Sequence, residues 1–495
     1  MSDELADRAR ALALTLTGWP SVTGSADEAA FAMHLAEALK PLGTAWTEPI
    51  HGDPAGRANV FAIKRGRSKR TIVLTGHFDV VPIDDYGDLK PLALDAERLL
   101  PEIVARLKRT GEHPQALADF ESGEFLPGRG LLDMKAGLAA GIAAIEAYHG
   151  DATLILLGVA DEEDRSAGAR AAIGRLKAYA LEQSLNIALI INLDAISDQG
   201  DGSLGRRVAL GSIGKQLLTA LAIGREAHAC YPRDGINAAY LAAELAAEIE
   251  LAPELEERTG EEIAAPPTAL ALKDQKHGYN VTTPAQAWVY WNTLQHRRSA
   301  ADVMEIALSL ARRAMTRAEV KTGRAIAVMS FAELAAQAPQ IDVSAIADRA
   351  DLDLPDRARL ATQAIWQASG LSGPAVVLGF GSIPYAAVAL ADVELEQKIV
   401  TACATHGVTP IRYFPGISDV SFYGEGAGDP AAIAANCPIW GKAFAMPERG
   451  NLPAINIGPW GRDYHNWLER LHAPYAFETL PRALLAVIAA VSDRR

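Results

Sequence analysis

The sequence contains few cysteines and few aromatic residues, and it lacks any long apolar run. Its 495 residues include three cysteines, and 6% of the residues are aromatic. Three widely spaced cysteines without a CxxC motif cannot form a disulfide framework, which fits a reducing compartment. No apolar run approaches the ~20 residues of a membrane span, and the charged N-terminal stretch lacks the apolar centre of a signal peptide. We therefore expect a cytoplasmic protein that has no membrane partner.

The net charge of the chain further restricts the classes of partner that it could bind. With 47 basic and 61 acidic residues, the formal net charge is −14. This excess disfavours nucleic acid as the main partner. It leaves small molecules open, because one local cationic site can dominate a pocket. The sequence also lacks the GxSxG, HExxH and Walker-type motifs, which mark other hydrolases and nucleotide-binding proteins.

The order of predicted elements indicates one domain interrupted by another. Short apolar runs alternate with helical patterns in the first 200 or so residues and again near the C-terminus, which predicts an α/β fold with a mixed central sheet. Between them, residues 205–333 follow a β-α-β-β-α-β pattern typical of a small α+β sandwich. We predict a catalytic domain formed by residues 1–204 and 334–495, with an inserted domain at 205–333.

Five motifs place histidine or acidic residues at the ends of predicted strands or before a helix. They are TGHFDVVP with His77 and Asp79, GRGLLDMKAG with Asp133, GVADEEDRSAGA with Glu162 and Glu163, INLDAISD with Asp194, and NIGPWGRDYHNWLERLH with His465. Taken singly, each also fits an ordinary turn, a helix cap or a solvated acidic pair. Together they supply a mixed histidine and carboxylate set, which suits Zn²⁺ or a similar ion. With one carboxylate shared, such a set can hold two ions about 3.5–4 Å apart.

The order of these motifs resembles that of the co-catalytic zinc amidohydrolases and metallopeptidases. This family includes acetylornithine deacetylase, succinyl-diaminopimelate desuccinylase and carboxypeptidases. The resemblance covers nearly the whole chain and is nearest to the RocB-like proteins of arginine utilisation. It implies a two-metal hydrolase that cleaves an amide bond in a small N-acyl amino acid or peptide-like substrate. A dipeptidase or carboxypeptidase on the same site, or a non-catalytic binding protein with the same fold, are the alternatives.

The resemblance also implies the metal ligands. His77 and Asp194 would bind one ion, and Glu163 and His465 would bind the other. Asp133 would bridge both. The expected ions are zinc, with cobalt or manganese as alternatives, since all three suit these ligands.

Other residues receive supporting roles from the same resemblance. Asp79 would orient His77, and Glu162 would be the general base. The peptide bond between Asp133 and Met134 would be cis. His472 competes with His465 as the last ligand, although Glu469 gives His465 the His-x-x-x-Glu spacing of the family.

The inserted domain resembles the family's lid and dimerisation domain. Its stretch GREAHACYPRDGINAA is similar to the lid motif, so His228 would polarise the scissile carbonyl, and Asn237 would also contact substrate. Ser418, in the loop FPGISDVSFYG, either helps to bind substrate or belongs to a plain turn. We expect a homodimer through the lid domain, with His228 serving the partner's site.

The chain departs from the family between His77 and Asp133. The extra segment, residues 84–121, is predicted to add a helix and to shape the substrate pocket.

Overall fold

The computed structural model describes residues 2–426, 429–444, 446 and 449–492. Contacts within this part divide the chain into two compact units. The first unit draws its residues from 1–212, 388–425 and 447–495, and the second from 213–387 and 426–446. The predicted mixed α/β fold with an inserted domain is confirmed.

The first unit contains all of the described strands before residue 213 and all of those after residue 387. The strands before the second unit are β1 (Thr44–Pro49), β2 (Ala58–Lys64), β3 (Arg70–His77), β4 (Phe125–Pro127), β5 (Thr153–Val159), β6 (Asn186–Asn192), β7 (Ile196–Ser197), β8 (Arg207–Ala209) and β9 (Gly211–Ser212). The strands of the second unit are β10 (Gly214–Ile223), β11 (Glu257–Thr259), β12 (Glu262–Ala264), β13 (Thr268–Asp274), β14 (Gln286–Gln295), β15 (Ala327–Ser330) and β16 (Ala375–Phe380). The remaining strands are β17 (Val388–Ala389), β18 (Thr409–Ile411), β19 (Ala454–Asn456), β20 (Trp460–Arg462) and β21 (Arg470–His472).

Helices cover both units. The helices of the first unit that precede the second unit are α1 (Ser2–Gly18), α2 (Ala26–Leu39), α3 (Ala96–Thr110), α4 (Pro114–Glu121), α5 (Ala136–Ala147) and α6 (Ala167–Glu182). The second unit contributes α7 (Ala238–Ile249), α8 (Ala300–Thr322), α9 (Phe331–Gln337), α10 (Ser344–Ala347) and α11 (Leu354–Ser369). The chain then forms α12 (Val393–Ala404), α13 (Val420–Tyr423), α14 (Pro430–Asn436) and α15 (Leu480–Ser492), of which α14 belongs to the second unit.

A mixed eight-stranded sheet forms the centre of the first unit, in the order β1-β2-β5-β3-β6-β19-β8-β18. Strand β3 pairs in parallel with both β5 and β6. Strand β5 is buried along its whole length, because it is a continuous apolar run of the kind that a sheet covered on both faces requires. The carboxyl ends of these three parallel strands therefore meet at one edge of the sheet.

Among the described residues, one helical stretch has the length and composition of a membrane span. It is Tyr475–Ser492, with 18 residues, and 56% of it is buried inside the protein. Its apolar residues, including Leu484 and Val487, belong to the core cluster of the first unit. This stretch comes nearest to the long apolar run that the sequence was expected to lack, and its burial is that of a core helix.

The second unit contains the predicted β-α-β-β-α-β pattern as β10, α7, β13, β14, α8 and β15. Its five-stranded sheet runs β13-β14-β10-β16-β15. A separate core forms where Leu221 and Trp288 of the sheet pack against Phe331 of α9 and Trp366 of α11. The unit therefore carries more helices than the predicted sandwich.

The borders of the second unit differ from the predicted 205–333. Strand β8 pairs with β18 and β19 of the eight-stranded sheet, so the residues just after 204 stay in the first unit. Strand β16 pairs with β10, which draws the chain up to residue 387 into the second unit. The chain returns once more, since the main-chain N–H of Ala332 donates to the side-chain oxygen of Asn436 at 3.1 Å.

Candidate metal centre

Three neighbouring strands bring predicted site residues to one edge of the sheet. His77 is the last residue of β3. Glu162 and Glu163 follow β5, and Asp194 follows β6. All three strands run in the same direction, so the turns after them lie side by side, as in other α/β sheets that bind ligands at the carboxyl ends of strands.

Asp133 lies between two imidazoles. It belongs to the turn Leu131–Lys135 that precedes α5, and its peptide bond to Met134 is cis, as the resemblance implied. One carboxylate oxygen lies 3.2 Å from Nε2 of His77, and the other lies 3.1 Å from Nε2 of His465. The carboxylate can therefore face two ions at once.

Each imidazole also faces a second carboxylate. Nε2 of His465 lies 3.1 Å from Glu163 Oε2, and Nε2 of His77 lies 3.8 Å from Asp194 Oδ1. The atoms that His77, Asp133 and Glu163 offer to an ion all lie within 4.8 Å of one another. Four of the five predicted ligands thus form two pairs, one on each side of the fifth, Asp133.

His472 lies elsewhere. Its ring stacks on Trp460 with centroids 4.6 Å apart, and its Nε2 is 3.7 Å from Glu124. Of the two competing histidines, the structure brings His465 to the carboxylates.

Asp79 is fully buried, and its main-chain oxygen and its carboxylate have different partners. Nδ1 of His77 lies 3.1 Å from the main-chain oxygen of Asp79 and 3.7 Å from its carboxylate. The carboxylate instead accepts from the main-chain N–H groups of Glu162 at 3.1 Å and Glu163 at 3.2 Å, and from the Thr23 hydroxyl at 2.9 Å. Asp79 therefore fixes the turn that presents both glutamates, and its main chain orients His77.

Glu469 supports the loop of Asp133, a role that the sequence did not reveal. The Glu469 side chain is buried and accepts from the N–H groups of Gly130 at 2.9 Å and Leu132 at 3.3 Å. It also lies 3.3 Å from Arg129 Nη1. The His-x-x-x-Glu spacing was the only signal for it.

Ser418 is engaged within the protein. Its hydroxyl is fully buried and accepts from Asn192 Nδ2 at 3.0 Å. This hydrogen bond holds the loop against β6, and the predicted contact with substrate stays a prediction. The neighbouring Asp419 is also buried, and its burial, together with the charges of Asp194 and Asp79, raises its pKa to about 7.

The cluster is short of positive charge. Burial, followed by the neighbouring carboxylates, raises the pKa of Glu162 well above its usual range. Burial also raises the pKa of Glu163 and of Asp194, and the charge of Asp133 adds to both shifts. The acidic groups here outnumber the two imidazoles, and a bound cation would relieve this imbalance.

His228 and Asn237 belong to the second unit. The His228 side chain is exposed, and its Nδ1 accepts from the N–H of Cys230 at 3.2 Å. Asn237 is the N-cap of α7, because its side-chain oxygen accepts from the N–H of Ala239 at 2.9 Å. This capping bond engages the Asn237 side-chain oxygen, and the predicted contact of Asn237 with substrate stays a prediction.

Residues 73–443 match the model of Peptidase family M20/M25/M40. The chain belongs to this family. It is therefore a metal-dependent hydrolase of the metallopeptidase and amidohydrolase type, as the order of its motifs implied.

Relatives match along most of this chain. The uncharacterised protein YqjN of Bacillus subtilis (strain 168) is 30% identical over 99% of this chain and 97% of its own length. Protein RocB of the same organism is 27% identical over 96% and 93% of the two chains. Succinyl-diaminopimelate desuccinylase of Dechloromonas aromatica (strain RCB) is 32% identical over 43% of this chain and 50% of its own.

Solved structures share the fold at low sequence identity. A tripeptidase from Staphylococcus aureus superposes with a TM-score of 0.56 and 14% identity, covering 99% of each chain. The Bacillus subtilis YXEP protein, described as a dinuclear metal-binding peptidase, gives a TM-score of 0.52 and 11% identity over 99% of this chain and 100% of that one.

Proposed function

We propose that this protein is a two-metal hydrolase that cleaves an amide bond in a small N-acyl amino acid or peptide-like substrate. The observation that carries the proposal is the Asp133 carboxylate, which has one oxygen near His77 and the other near His465. Family membership supports a metal-dependent hydrolase. The similarity to a desuccinylase supports an N-acyl substrate in particular.

The donor set fits two divalent ions. His77 and Asp194 would hold one ion, Glu163 and His465 the other, and Asp133 both. Mixed imidazole and carboxylate donors suit Zn²⁺, and Co²⁺ or Mn²⁺ accept the same ligands. When bound, the ions would lower the pKa of water and polarise the substrate carbonyl.

Glu162 is the residue proposed to move the proton. It follows the same buried strand as Glu163 but is not needed as a ligand in this assignment. Its carboxylate would take a proton from the attacking water and deliver it to the leaving amine, as general bases in hydrolases do. Asp79 would keep this side chain in place, since it accepts hydrogen bonds from the Glu162 and Glu163 N–H groups.

His228 is proposed to donate a hydrogen bond to the developing oxyanion in the partner subunit of a homodimer. The N–H of Cys230 donates to Nδ1 of His228, so the neutral ring carries its own proton on Nε2. That proton is free to face a substrate oxygen, and the loss of one such donor typically costs about 10²–10³ in rate. Mixing the His228→Ala and Glu162→Gln proteins should restore roughly a quarter of wild-type activity if the site is shared. A monomer in sedimentation, or no recovery on mixing, would contradict the shared site.

The experiment that tests the function combines metal analysis with a substrate panel. Elemental analysis should find two divalent ions per chain. Mass spectrometry of products should then show hydrolysis of N-acyl amino acids, with di- and tripeptides in the same panel as the competing class. The Glu162→Gln protein is the matched inactive control. Wild-type protein that binds no metal and cleaves nothing in the panel would favour the binding-protein alternative.

A further inference from the structure

Residues 84–121, which lengthen the chain between His77 and Asp133, form helices that contact both loops of the metal centre. Helices α3 and α4 occupy most of this segment, which extends the prediction of one added helix. Asp85, before α3, accepts from Arg129 Nη2 at 2.7 Å, and Arg129 contacts Glu469 in turn. Asp119, on α4, makes the larger set of contacts.

The Asp119 carboxylate accepts hydrogen bonds from two arginines. Its oxygens lie 2.7 and 2.6 Å from Nη1 of Arg462, and one of them lies 2.7 Å from Nε of Arg470. All three residues are buried, with exposures of 7%, 7% and 1% for Asp119, Arg462 and Arg470. The buried carboxylate therefore accepts hydrogen bonds from two guanidinium groups, and also from Gln115 Nε2 at 2.9 Å.

The two arginines lie at the base of the loop that carries His465. Arg462 ends β20, Arg470 begins β21, and the two residues face each other in the strand pairing. Within the loop, His465 has a φ of 62° and Asp463 a φ of 54°. Left-handed conformations are uncommon for residues other than glycine, even for Asp and His, which adopt them more often than most, so contacts with the rest of the protein help to fix them. Arg470 helps to do so, because it also donates to the Asp463 carboxylate and to the Leu468 carbonyl.

The carboxylate of Asp119 compensates the buried positive charges of Arg462 and Arg470. Apart from Asp119, Arg462 donates to main-chain oxygens only, at Asp198 and Gly200, within the part of the chain that the structure describes. Without Asp119, two buried guanidinium groups would face each other with one carboxylate fewer between them. Removing one partner of a buried ion pair leaves the other charge uncompensated. Here the uncompensated charges would lie on Arg462 and Arg470, so the base of the His465 loop would have to shift to separate them.

We infer that Asp119 is a positioning residue for His465. Through it, the helical segment 84–121 sets the geometry of one half of the metal centre. The inference rests on the proposed role of His465 as a metal ligand. It predicts that loss of the Asp119 charge weakens the ion held by His465 and Glu163 more than the ion held by His77 and Asp194.

A cobalt titration of the metal-free, full-length protein tests this inference. Co²⁺ binding is followed by visible absorption, and the two binding steps are fitted separately. Asp119→Asn should weaken one step by about tenfold or more, the lower end of what supporting residues contribute to metal sites, and leave the other within about twofold. The control is Glu121→Gln on the same helix, whose side chain is 47% exposed and pairs with Lys108. It should bind cobalt as the wild type does.

The outcomes separate the inference from the proposed function. If folded Asp119→Asn protein binds both ions like the wild type, the positioning role is overturned. If that variant does not fold, Arg470→Lys replaces it, because lysine keeps the charge but cannot reach Asp119 and Asp463 together. The same selective loss is then expected, and unchanged binding overturns the inference. His465→Ala is measured in the same titration. If this variant keeps both cobalt-binding steps, the assignment of His465 as a ligand is wrong. If it loses one step and Asp119→Asn loses none, only the positioning role of Asp119 is overturned.

Discussion

Replacing Asp79 by asparagine changes the charge at the centre of the turn that presents Glu162 and Glu163, while it keeps the shape of the side chain. The carboxylate accepts from the Thr23 hydroxyl and from the N–H groups of both glutamates. An asparagine side chain offers only one acceptor oxygen, and its NH₂ group would point at a main-chain donor.

The cost follows from this count of donors. At least one of the N–H groups loses its acceptor, and a buried donor without a partner costs about 1–3 kcal/mol. The turn must also shift to separate the new NH₂ group from the N–H that it faces. Because Glu163 lies on this turn, we expect metal affinity to fall by about 10- to 100-fold, as it does when hydrogen-bond partners of metal ligands are removed.

Urea unfolding of the metal-free protein and a metal titration measure the two effects separately. Asp84→Asn is the matched control, since Asp84 begins the short 3-10 helix Asp84–Leu92 and its side chain, paired with Lys90, is 77% exposed. Exposed substitutions usually change stability by no more than about 0.5 kcal/mol. If Asp79→Asn matches this control in both assays, the carboxylate does not support the turn and the reasoning is refuted.

Three further predictions follow from particular contacts. His465→Ala should lose one bound ion, whereas His472→Ala, which removes a ring stacked on Trp460, should keep both in elemental analysis; the reverse result would make His472 the ligand. Gly458→Ala should lower the free energy of unfolding by about 1–3 kcal/mol, because its Cβ would lie 2.0 Å from the Asp194 carbonyl. Gly174→Ala, at an exposed position of helix α6 with nothing within 4 Å of its Cβ, should raise the free energy of unfolding by about 0.5–1 kcal/mol. Equal urea midpoints for these two variants would contradict the clash. Burial alone would raise the pKa of Asp53, but hydrogen bonds from Arg57 hold that pKa below its usual range. The stability that Asp53 contributes is therefore present above its unfolded pKa and is lost in acid. Asp53→Asn should lower the free energy of unfolding at pH 7, and progressively less as the pH falls below about 4. A difference in stability that stays constant from pH 7 into acid would show that this pair does not titrate as argued.

The fold could be predicted where local patterns determine it. Continuous apolar runs such as β5 indicate buried parallel strands, and the acidic residues directly after them then meet at one edge. The border of the second unit could not be predicted in this way. Strand β16 has the composition of a catalytic-domain strand, and only its pairing with β10 assigns it to the inserted unit.

The supporting residues of the site were harder to find than the residues that face the ions. Asp119 and Arg462 are 343 residues apart in the sequence, and no local motif links them. Asn237 and Ser418 lie in stretches that resemble family motifs, yet each side chain forms a hydrogen bond within the protein. A pattern gives residue types in order, whereas hydrogen-bond partners depend on the packing of distant elements.

The roles of Glu162 and Glu163 are the central claim, and one paired measurement tests them most directly. Metal content and turnover are determined on the same preparations of Glu162→Gln and Glu163→Gln, with a substrate that the wild type hydrolyses. Glu162→Gln should retain both ions and lose about 10²- to 10⁴-fold in turnover, the contribution typical of a general base, while Glu163→Gln should lose an ion. If Glu162→Gln loses the metal and Glu163→Gln keeps both ions, the two roles are reversed and the account is contradicted.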